Sequence, residues 1–283
     1  MRPATLLAVL LLPCAAMAAC PSDAEVGRLA AQILANEPGT GFGPGLSLAD
    51  GACAQDKLVA RLSERFGPVI GWKAGLTAET VQKRFGVPHP VRGALMRDMI
   101  LADGATVPAA FGAMPLFESD LLVRVRDAGL AGARGHLEIL RHLDAVIPFI
   151  ELPDLVLAPG QPMDGPTLIA INVGARVGVV GAPVPVTADQ DFADRLAAMR
   201  VILTDDTGRT IADSPGTAIL GHPLDAVAWL VADLAKAGKP LRPGDLLSLG
   251  SFSPLGKPEA GRTVTARYVG LAVQPVSVSV SFR

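Results

Sequence analysis

The chain has 283 residues, half of them hydrophobic, which is enough apolar material to bury a sizeable core and argues against disorder. The net charge is only -2 at pH 7 and the basic residues are scattered, so the sequence lacks the electrostatic footprint of a nucleic-acid-binding protein. We therefore expect a small-molecule partner and no nucleic acid.

The first eighteen residues are typical of a short secretory signal. Arg2 lies ahead of an apolar run over residues 4–12, and residues 16–18 read A-M-A, which matches an A-x-A cleavage site. We therefore predict a signal peptide over residues 1–18, a mature chain that begins at Ala19, and a periplasmic or secreted protein.

Two alternatives for this segment remain open. Cys20 could be acylated as in a lipoprotein, although Met17 is an unusual residue at that position of such a site. The segment could also stay attached as an apolar helix, although Pro13 interrupts it. The later apolar region over residues 167–186 contains Arg176, glycines and prolines, so we expect no membrane association after signal removal.

Export changes the interpretation of the cysteines. Removal of the signal takes Cys14 with it and leaves Cys20 and Cys53, an even number in an oxidising compartment. This predicts a disulfide that ties the mature N-terminus to the segment before the second predicted helix. If the signal is not cleaved, two unrelated buried thiols become the preferred interpretation.

The N-terminal part is predicted to be helical, with one strand. Residues 39–45 read GTGFGPG, but no strand leads into them and the proline lacks an N–H donor, so they form a loop and not a phosphate-binding cradle. Residues 69–77 form a short strand that enters a glycine-lined turn. Helical patterns cover residues 24–34, residues 56–66, and a third helix from an N-cap at Thr77 to Gly86.

An acidic pair and a third acid form the main candidate site. Glu118 and Asp120 are two residues apart in an apolar strand, so both carboxylates point to the same face, and Glu151 follows another apolar run. Hard dications such as Mg²⁺ and Mn²⁺ prefer such oxygen ligands. The alternative is that the pair belongs to the solvated face of a half-buried strand.

Strands dominate the second half of the chain, between two further helices. This pattern predicts an α+β fold with a mixed, roll-like or barrel-like sheet core, divided into a small helical N-terminal region over residues 19–90 and a β-rich domain over residues 91–283. The predicted elements are a helix over 135–146, a hairpin of strands 199–204 and 209–212, a helix over 223–237 with Pro223 at its first position, and strands over 262–269 and 276–282.

Several segments, in this order, resemble the 2-keto-4-pentenoate hydratase branch of the fumarylacetoacetate hydrolase superfamily. The similarity extends from about residue 24 to the C-terminus. The matching segments are GWKAGLT at residues 71–77, Glu118-Ser119-Asp120, Glu151 after its apolar strand, LGHPL at residues 220–224 and PGDLL at residues 243–247.

The resemblance implies a metal site and a 2-oxo acid substrate. In that family acidic side chains hold Mg²⁺ or Mn²⁺, and Glu118, Asp120 and Glu151 fall on the three ligand positions. Asp120 stands where the family usually has Glu, so its carboxylate reaches less far. The resemblance also implies a sheet like the C-terminal domain of fumarylacetoacetate hydrolases, and a homo-oligomer, with a dimer expected.

The resemblance further implies roles for four residues outside the acidic set. Lys73 is predicted to exchange protons with a substrate, through a lowered pKa, or to pair with its carboxylate; the alternative is an ordinary surface lysine. Asp98 and His222 are predicted catalytic residues, with an Asx turn and a helix cap as their respective alternatives. Asn172 is a predicted substrate-binding residue, with a turn or inter-strand hydrogen bond as its alternative.

Three positions depart from the family pattern, because Val91, Ile171 and Leu249 are apolar where the family carries polar groups. We therefore keep two kinds of function open. The first is an exported, metal-dependent hydratase that adds water to an unsaturated 2-oxo acid of the 2-hydroxypenta-2,4-dienoate type, with a C–C bond hydrolase of acylpyruvates as a near relative. The second is a degenerate member that binds a keto acid without chemistry.

Overall fold

The computed structural model describes residues 20–283, so the predicted signal peptide over residues 1–18 lies outside the described residues. The helices are α1 (Asp23–Ala35), α2 (Leu48–Phe66), α3 (Glu79–Phe85), α4 (His136–Arg141), α5 (Gly165–Ala170), α6 (Gln190–Ala198) and α7 (Pro223–Lys236). The strands are β1 (Val69–Gly75), β2 (Val91–Met96), β3 (Ile100–Ala102), β4 (Ala105–Val107), β5 (Glu118–Val125), β6 (Leu143–Leu152), β7 (Val177–Val180), β8 (Val184–Pro185), β9 (Arg200–Asp205), β10 (Thr210–Pro215), β11 (Leu246–Ser248), β12 (Thr263–Val269) and β13 (Val276–Phe282).

Two mixed sheets organise these strands. The larger has the order β2-β1-β11-β5-β6-β7-β3, with β8 beside β6, and it curls into a half-barrel. The smaller has the order β10-β9-β12-β13-β4. The predicted α+β fold with a curled, roll-like sheet is therefore confirmed.

Successive side chains of β5 point to opposite faces of the sheet, and the two faces pack in different apolar clusters. Leu121 and Val123 point into the main core, which also contains residues of the smaller sheet and of α7. Leu122 points to the opposite face, where it packs with Phe149 and Ile147 of β6 in a separate cluster. Asp120 shares that opposite face because it is two residues from Leu122. The acidic pair is therefore at the edge of a small apolar cluster, not in open solvent.

The N-terminal helices have their own core and carry the disulfide. Residues of α1, α2 and α5 pack together with parts of β2. Cys20 and Cys53 are bonded, with Cα atoms 5.6 Å apart, as the cysteine count predicted. Cys53 lies inside α2, however, and not ahead of it.

Three predicted boundaries were wrong for local reasons. Helix α2 begins at Leu48, eight residues before the predicted start, because Ser47 and Asp50 form a capping box there. The N-cap of α3 is Ala78, not Thr77. The helix predicted over 135–146 ends at Arg141, because the next residues form β6 and pair with β5. The division into residues 19–90 and 91–283 stays a prediction.

Helix α7 shows why hydropathy alone misleads. By length and hydropathy, Gly216–Lys236 could cross a membrane. In the structure the apolar stripe of α7, with Val227 and Leu230, is fully buried in the main core. This segment therefore has the packing of a core helix.

Candidate functional site

The three predicted acids converge at the junction of β5 and β6. In the antiparallel register Glu118 lies directly opposite Glu151, and Asp120 lies two residues along the same face. One carboxylate oxygen from each residue lies within 4.8 Å of the others. Asp120 is 0% exposed and Glu151 2% exposed, while Glu118 is partly exposed. This burial is incompatible with the alternative of a solvated strand face.

The Asp120 carboxylate is held by donors from the neighbouring strand. Ser248 of β11 donates its hydroxyl to Oδ2 at 2.7 Å, and the Gly250 N–H donates to Oδ1 at 3.1 Å. The Leu121 N–H also donates to Oδ1. These bonds fix the shorter aspartate side chain in one orientation.

Lys73 of β1 reaches the same cluster. Its ammonium donates to Glu151 Oε1 and to the Val173 carbonyl, the latter at 3.1 Å. The residue is only 3% exposed, so the alternative of an ordinary surface lysine was wrong. The structure thus brings Lys73 together with all three acids.

Burial and mutual repulsion set the protonation of this cluster. Burial, followed by the charge of Glu151, raises the pKa of Glu118 to about 8 and that of Asp120 to about 7. Burial opposes the charge on Lys73, but the surrounding carboxylates outweigh it and raise the pKa of Lys73. With no dication beside it, the side chain is therefore a cation, which agrees with the predicted pairing with a substrate carboxylate. Proton exchange through a pKa lowered by a bound metal stays a prediction.

Comparison with known proteins identifies the family. No protein-family model matches the sequence. The 2-keto-4-pentenoate hydratase of Paraburkholderia phymatum is 33% identical over 215 residues, which cover 76% of this chain and 78% of that protein. The chain belongs to the 2-keto-4-pentenoate hydratase family. This is a family of hydro-lyases, and the chain is an enzyme of that class.

Two further similarities widen the context of this hydratase-family chain. The 4-oxalocrotonate decarboxylase of Pseudomonas putida is 28% identical over 240 residues, covering 84% of this chain and 87% of that protein. The solved structure of 4-oxalocrotonate decarboxylase from Pseudomonas putida G7, complexed with magnesium and adipate, superposes with a TM-score of 0.78. It is 24% identical and the match covers 92% of this chain and 97% of that chain, which confirms the fold.

Two predicted catalytic residues of the hydratase family lie elsewhere in this chain. Asp98 is exposed and pairs with Arg97 at 3.0 Å, and it is not part of the group of converging acids among the described residues. His222 caps α7, because its Nδ1 accepts from the Leu224 N–H at 3.0 Å, and its ring stacks on His136 at 4.0 Å. For both residues the geometry agrees with the alternative, a local turn at Asp98 and a helix cap at His222, and their catalytic roles stay predictions.

Asn172, the predicted substrate-binding residue, lies in a buried hydrogen-bond network, and its role in binding stays a prediction. The residue is 1% exposed, and both polar atoms of its amide bond to the backbone of Ala94. The amide oxygen and one N–H of the amide nitrogen are therefore engaged by β2. Its inter-strand alternative is therefore the one that the structure supports.

The three apolar departures from the family pattern have different surroundings. Leu249 lies in the main core, between two residues that bond to Asp120, so its side chain points away from the acids. Ile171 is buried in the N-terminal core. Val91 pairs with Gly75 across β1 and β2, which puts its side chain on the same face as Lys73. Val91 also packs in the N-terminal core with Ile171, and of the three it is the one that the strand register places on the face of Lys73.

Sequence reasoning missed the residues that hold the cluster in place. Ser248, Gly250 and Val173 all contact Asp120 or Lys73. Ser248 could have been found from the sequence, since it is a lone hydroxyl in the apolar run Leu246-Leu247-Ser248-Leu249. Val173 could not, because it contributes a backbone carbonyl, which every residue has.

Proposed function

We propose that this chain is a metal-dependent hydratase that adds water to an unsaturated 2-oxo acid of the 2-hydroxypenta-2,4-dienoate type. The observation that carries the proposal is the convergence of three carboxylates, two of them fully buried, beside one buried ammonium. When all are ionised, the cluster has two excess negative charges. A dication neutralises them, and this balance favours a divalent metal over a purely structural ion pair.

The donor set fits Mg²⁺ or Mn²⁺. Glu118, Asp120 and Glu151 would hold the ion through carboxylate oxygens, which are the ligands that hard dications prefer. Three protein ligands leave room in the ligand sphere for substrate oxygens and water. When bound, the ion would draw electron density from the keto group of a 2-oxo acid and so ease proton transfer at the adjacent carbon.

Lys73 supplies the cationic group of the site. An ammonium has three N–H donors, and Glu151 and the Val173 carbonyl use two of them. The third is available to bind the substrate carboxylate or to hold a proton for transfer. The surrounding apolar residues exclude water, which strengthens either interaction.

Val91 supports a substrate with an apolar tail. It lies on the face of Lys73 through its pairing with Gly75, and it is buried. Its isopropyl group, packed in the N-terminal core, makes this side of the Lys73 face apolar and gives no partner for a second carboxylate. This favours the hydratase substrate over the dicarboxylate that the name of the related 4-oxalocrotonate decarboxylase implies.

We also propose that the protein acts outside the cytoplasm, in the periplasm or in the medium, and as a dimer. Support for export comes from the signal-like residues 1–18 and from the disulfide between Cys20 and Cys53, since disulfides persist in oxidising compartments. The dimer rests on the family resemblance.

Metal titration of the purified mature chain tests the site. Wild-type protein should bind Mn²⁺ by calorimetry, whereas Glu118→Gln should lose binding and keep the fold, because one ligand charge is removed at nearly constant volume. Asp98→Asn is the matched control, since its carboxylate is exposed outside the cluster. Unchanged Mn²⁺ affinity in Glu118→Gln would remove the assignment.

Turnover must be measured separately from binding. With Mg²⁺ present, the absorbance of 2-hydroxypenta-2,4-dienoate should decay in the wild type, while Lys73→Met should retain Mn²⁺ binding and lose turnover. Decay of an acylpyruvate instead would favour the C–C bond hydrolase. Binding of Mn²⁺ and pyruvate without turnover of either substrate would identify a non-catalytic member.

A further inference from the structure

The ammonium of Lys73 has an anchor that is independent of the acids. The Val173 carbonyl accepts from Nζ at 3.1 Å, although the two residues are 100 positions apart in the sequence. Glu151 constrains the ammonium from the acidic side only. The position of the Val173 carbonyl therefore determines where the remaining Lys73 N–H points.

Val173 adopts a backbone conformation that its side chain disfavours. It is the middle of three consecutive left-handed residues, with φ of 57° at Asn172, 54° at Val173 and 65° at Gly174. A β-branched residue in this region is an outlier, because its side chain crowds the backbone there. Such a turn persists only when surrounding contacts hold it.

Two side-chain amides provide those contacts. Asn172 accepts from the Ala94 N–H at 2.7 Å and donates to the Ala94 carbonyl at 3.0 Å, so it pairs with β2 as another strand would. Gln55 of α2 donates to the Arg92 carbonyl at 2.6 Å and lies 3.4 Å from Asn172 Oδ1. Both amides are buried, at 1% and 2% exposure.

The turn and the lysine meet at Gly93. A Cβ at this position would lie 2.8 Å from the Asn172 carbonyl oxygen and 2.9 Å from Lys73 Cγ. The aliphatic part of the Lys73 side chain therefore passes over Gly93, where β2 has no side chain. This position lies directly beside the turn that the two amides hold. A shift of this turn would move both the aliphatic part of Lys73 and the acceptor of the ammonium.

We propose that Gln55 and Asn172 are positioning residues for Lys73, acting through the Val173 carbonyl. The catalytic consequence rests on the proposed hydratase function, whereas the mechanical coupling does not. Removal of either amide releases the strained turn, so the ammonium keeps its charge and loses its fixed direction. Neither amide needs to touch the substrate for this effect.

A double-mutant cycle tests the proposal. Asn172→Gly is the informative variant, because glycine accepts the left-handed conformation and only the amide is lost. It should lower kcat for 2-hydroxypenta-2,4-dienoate by about 10-fold or more, with KM changed less than about 3-fold. In a Lys73→Met background the same substitution should change the residual rate by less than about 2-fold, since the group that it positions is gone.

Urea unfolding in the absence of metal tests this inference independently of the proposed hydratase function. The urea midpoint should fall in Asn172→Gly, and in the Lys73→Met background this fall should shrink to roughly half or less. If the wild type shows no hydratase turnover but the midpoints couple, the hydratase function fails and the positioning role stands. Additive midpoints would mean that Asn172 only braces the fold, and the inference would be overturned.

Gln55→Leu keeps the test decisive if Asn172→Gly does not fold. It should show the same coupling to Lys73→Met with a smaller amplitude, because its contact to Asn172 is the longer one. Gln190→Ala is the control, since this amide is exposed on α6 and bonds to the neighbouring Asp194 of the same helix. An effect of Gln190→Ala on kcat as large as that of Gln55→Leu would contradict the proposal.

Discussion

Glu118 and Asp120 are acids in surroundings that favour their neutral forms. Their pKa values rise to about 8 and about 7 because they are buried and face Glu151. Lys73 offsets part of this repulsion but carries a single charge. The metal-free site is therefore under electrostatic stress at neutral pH, which a bound dication would relieve.

This stress predicts a specific pH dependence. A carboxyl whose pKa is raised in the folded state stabilises the protein below its unfolded value, near 4 for both acids, and this contribution is lost as pH rises through about 7 and about 8. The Tm of metal-free protein should therefore fall between pH 5 and pH 9. The gain in Tm on adding Mg²⁺ should grow over the same range, because fewer protons must be displaced.

Calorimetric scans in EDTA and in Mg²⁺ check this prediction. Glu118→Gln is the control, since the amide cannot titrate and the pH dependence should be reduced in that variant. A gain from Mg²⁺ that stays constant from pH 5 to pH 9 would contradict the assigned protonation of the cluster.

At the scale of elements, the site depends on a side-chain hydroxyl that hydrogen-bonds to both β5 and β6. Tyr268 of β12, in the smaller sheet, donates to the Asp120 carbonyl and contacts both backbone polar groups of Phe149, at 3.0 and 3.1 Å. Its hydroxyl thus bridges β5 and β6 beside the acidic cluster. It is 0% exposed, so no water replaces a lost bond.

Tyr268→Phe should therefore weaken both the fold and the site. We expect a loss of about 1–3 kcal/mol in the free energy of unfolding, because buried backbone groups lose their partner. Mn²⁺ affinity should also fall, since Asp120 is no longer held in register with Glu151. Urea unfolding and Mn²⁺ calorimetry measure the two effects.

Ser277→Ala serves as the matched control, because it removes an exposed hydroxyl from the neighbouring strand β13. It should change neither quantity measurably. A Tyr268→Phe variant with lower stability and unchanged Mn²⁺ affinity would show that the tyrosine supports the sheet without supporting the site.

The secondary-structure elements also show which features of the fold sequence patterns can predict. The i, i+2 spacing of Glu118 and Asp120 predicted one shared face, and the β5–β6 register bears this out. Local patterns predicted the wrong end for α4, which stops at Arg141. The apolar residues of β6 that follow are buried on both faces, so their spacing fits a helix as well as a strand. The contact of Lys73 with Val173 could not be predicted, since it joins a side chain to a backbone carbonyl 100 residues away.

At the scale of the whole molecule, the catalytic-type sheet and the N-terminal helices are joined around α2. This helix carries Gln55, which bonds to β2 and lies beside Asn172, and two residues earlier it carries Cys53. The fold class was predictable from alternating strands and capped helices. The joining of the two parts was not, because it depends on buried amides that leave no periodic signal.

The disulfide should therefore contribute strongly to global stability and only weakly to the chemistry. It joins cysteines separated by 33 residues, and the loop-entropy relation gives about 3–4 kcal/mol for such a closure. Reduction of the mature chain should lower the urea midpoint accordingly. Turnover below the transition should remain within about 2-fold, because Gln55 is held in α2 by packing as well.

The Cys20→Ser/Cys53→Ser double variant separates this effect from other actions of the reductant. Its midpoint should match that of the reduced wild type and should not respond to reductant, because no disulfide remains to be cleaved. Two free thiols in the mature wild-type protein isolated from an oxidising compartment would contradict the bridge. Equal midpoints for oxidised and reduced wild type would instead mean that the bridged loop is already restricted in the unfolded chain, since a cross-link stabilises only by removing conformations that the open chain would otherwise explore.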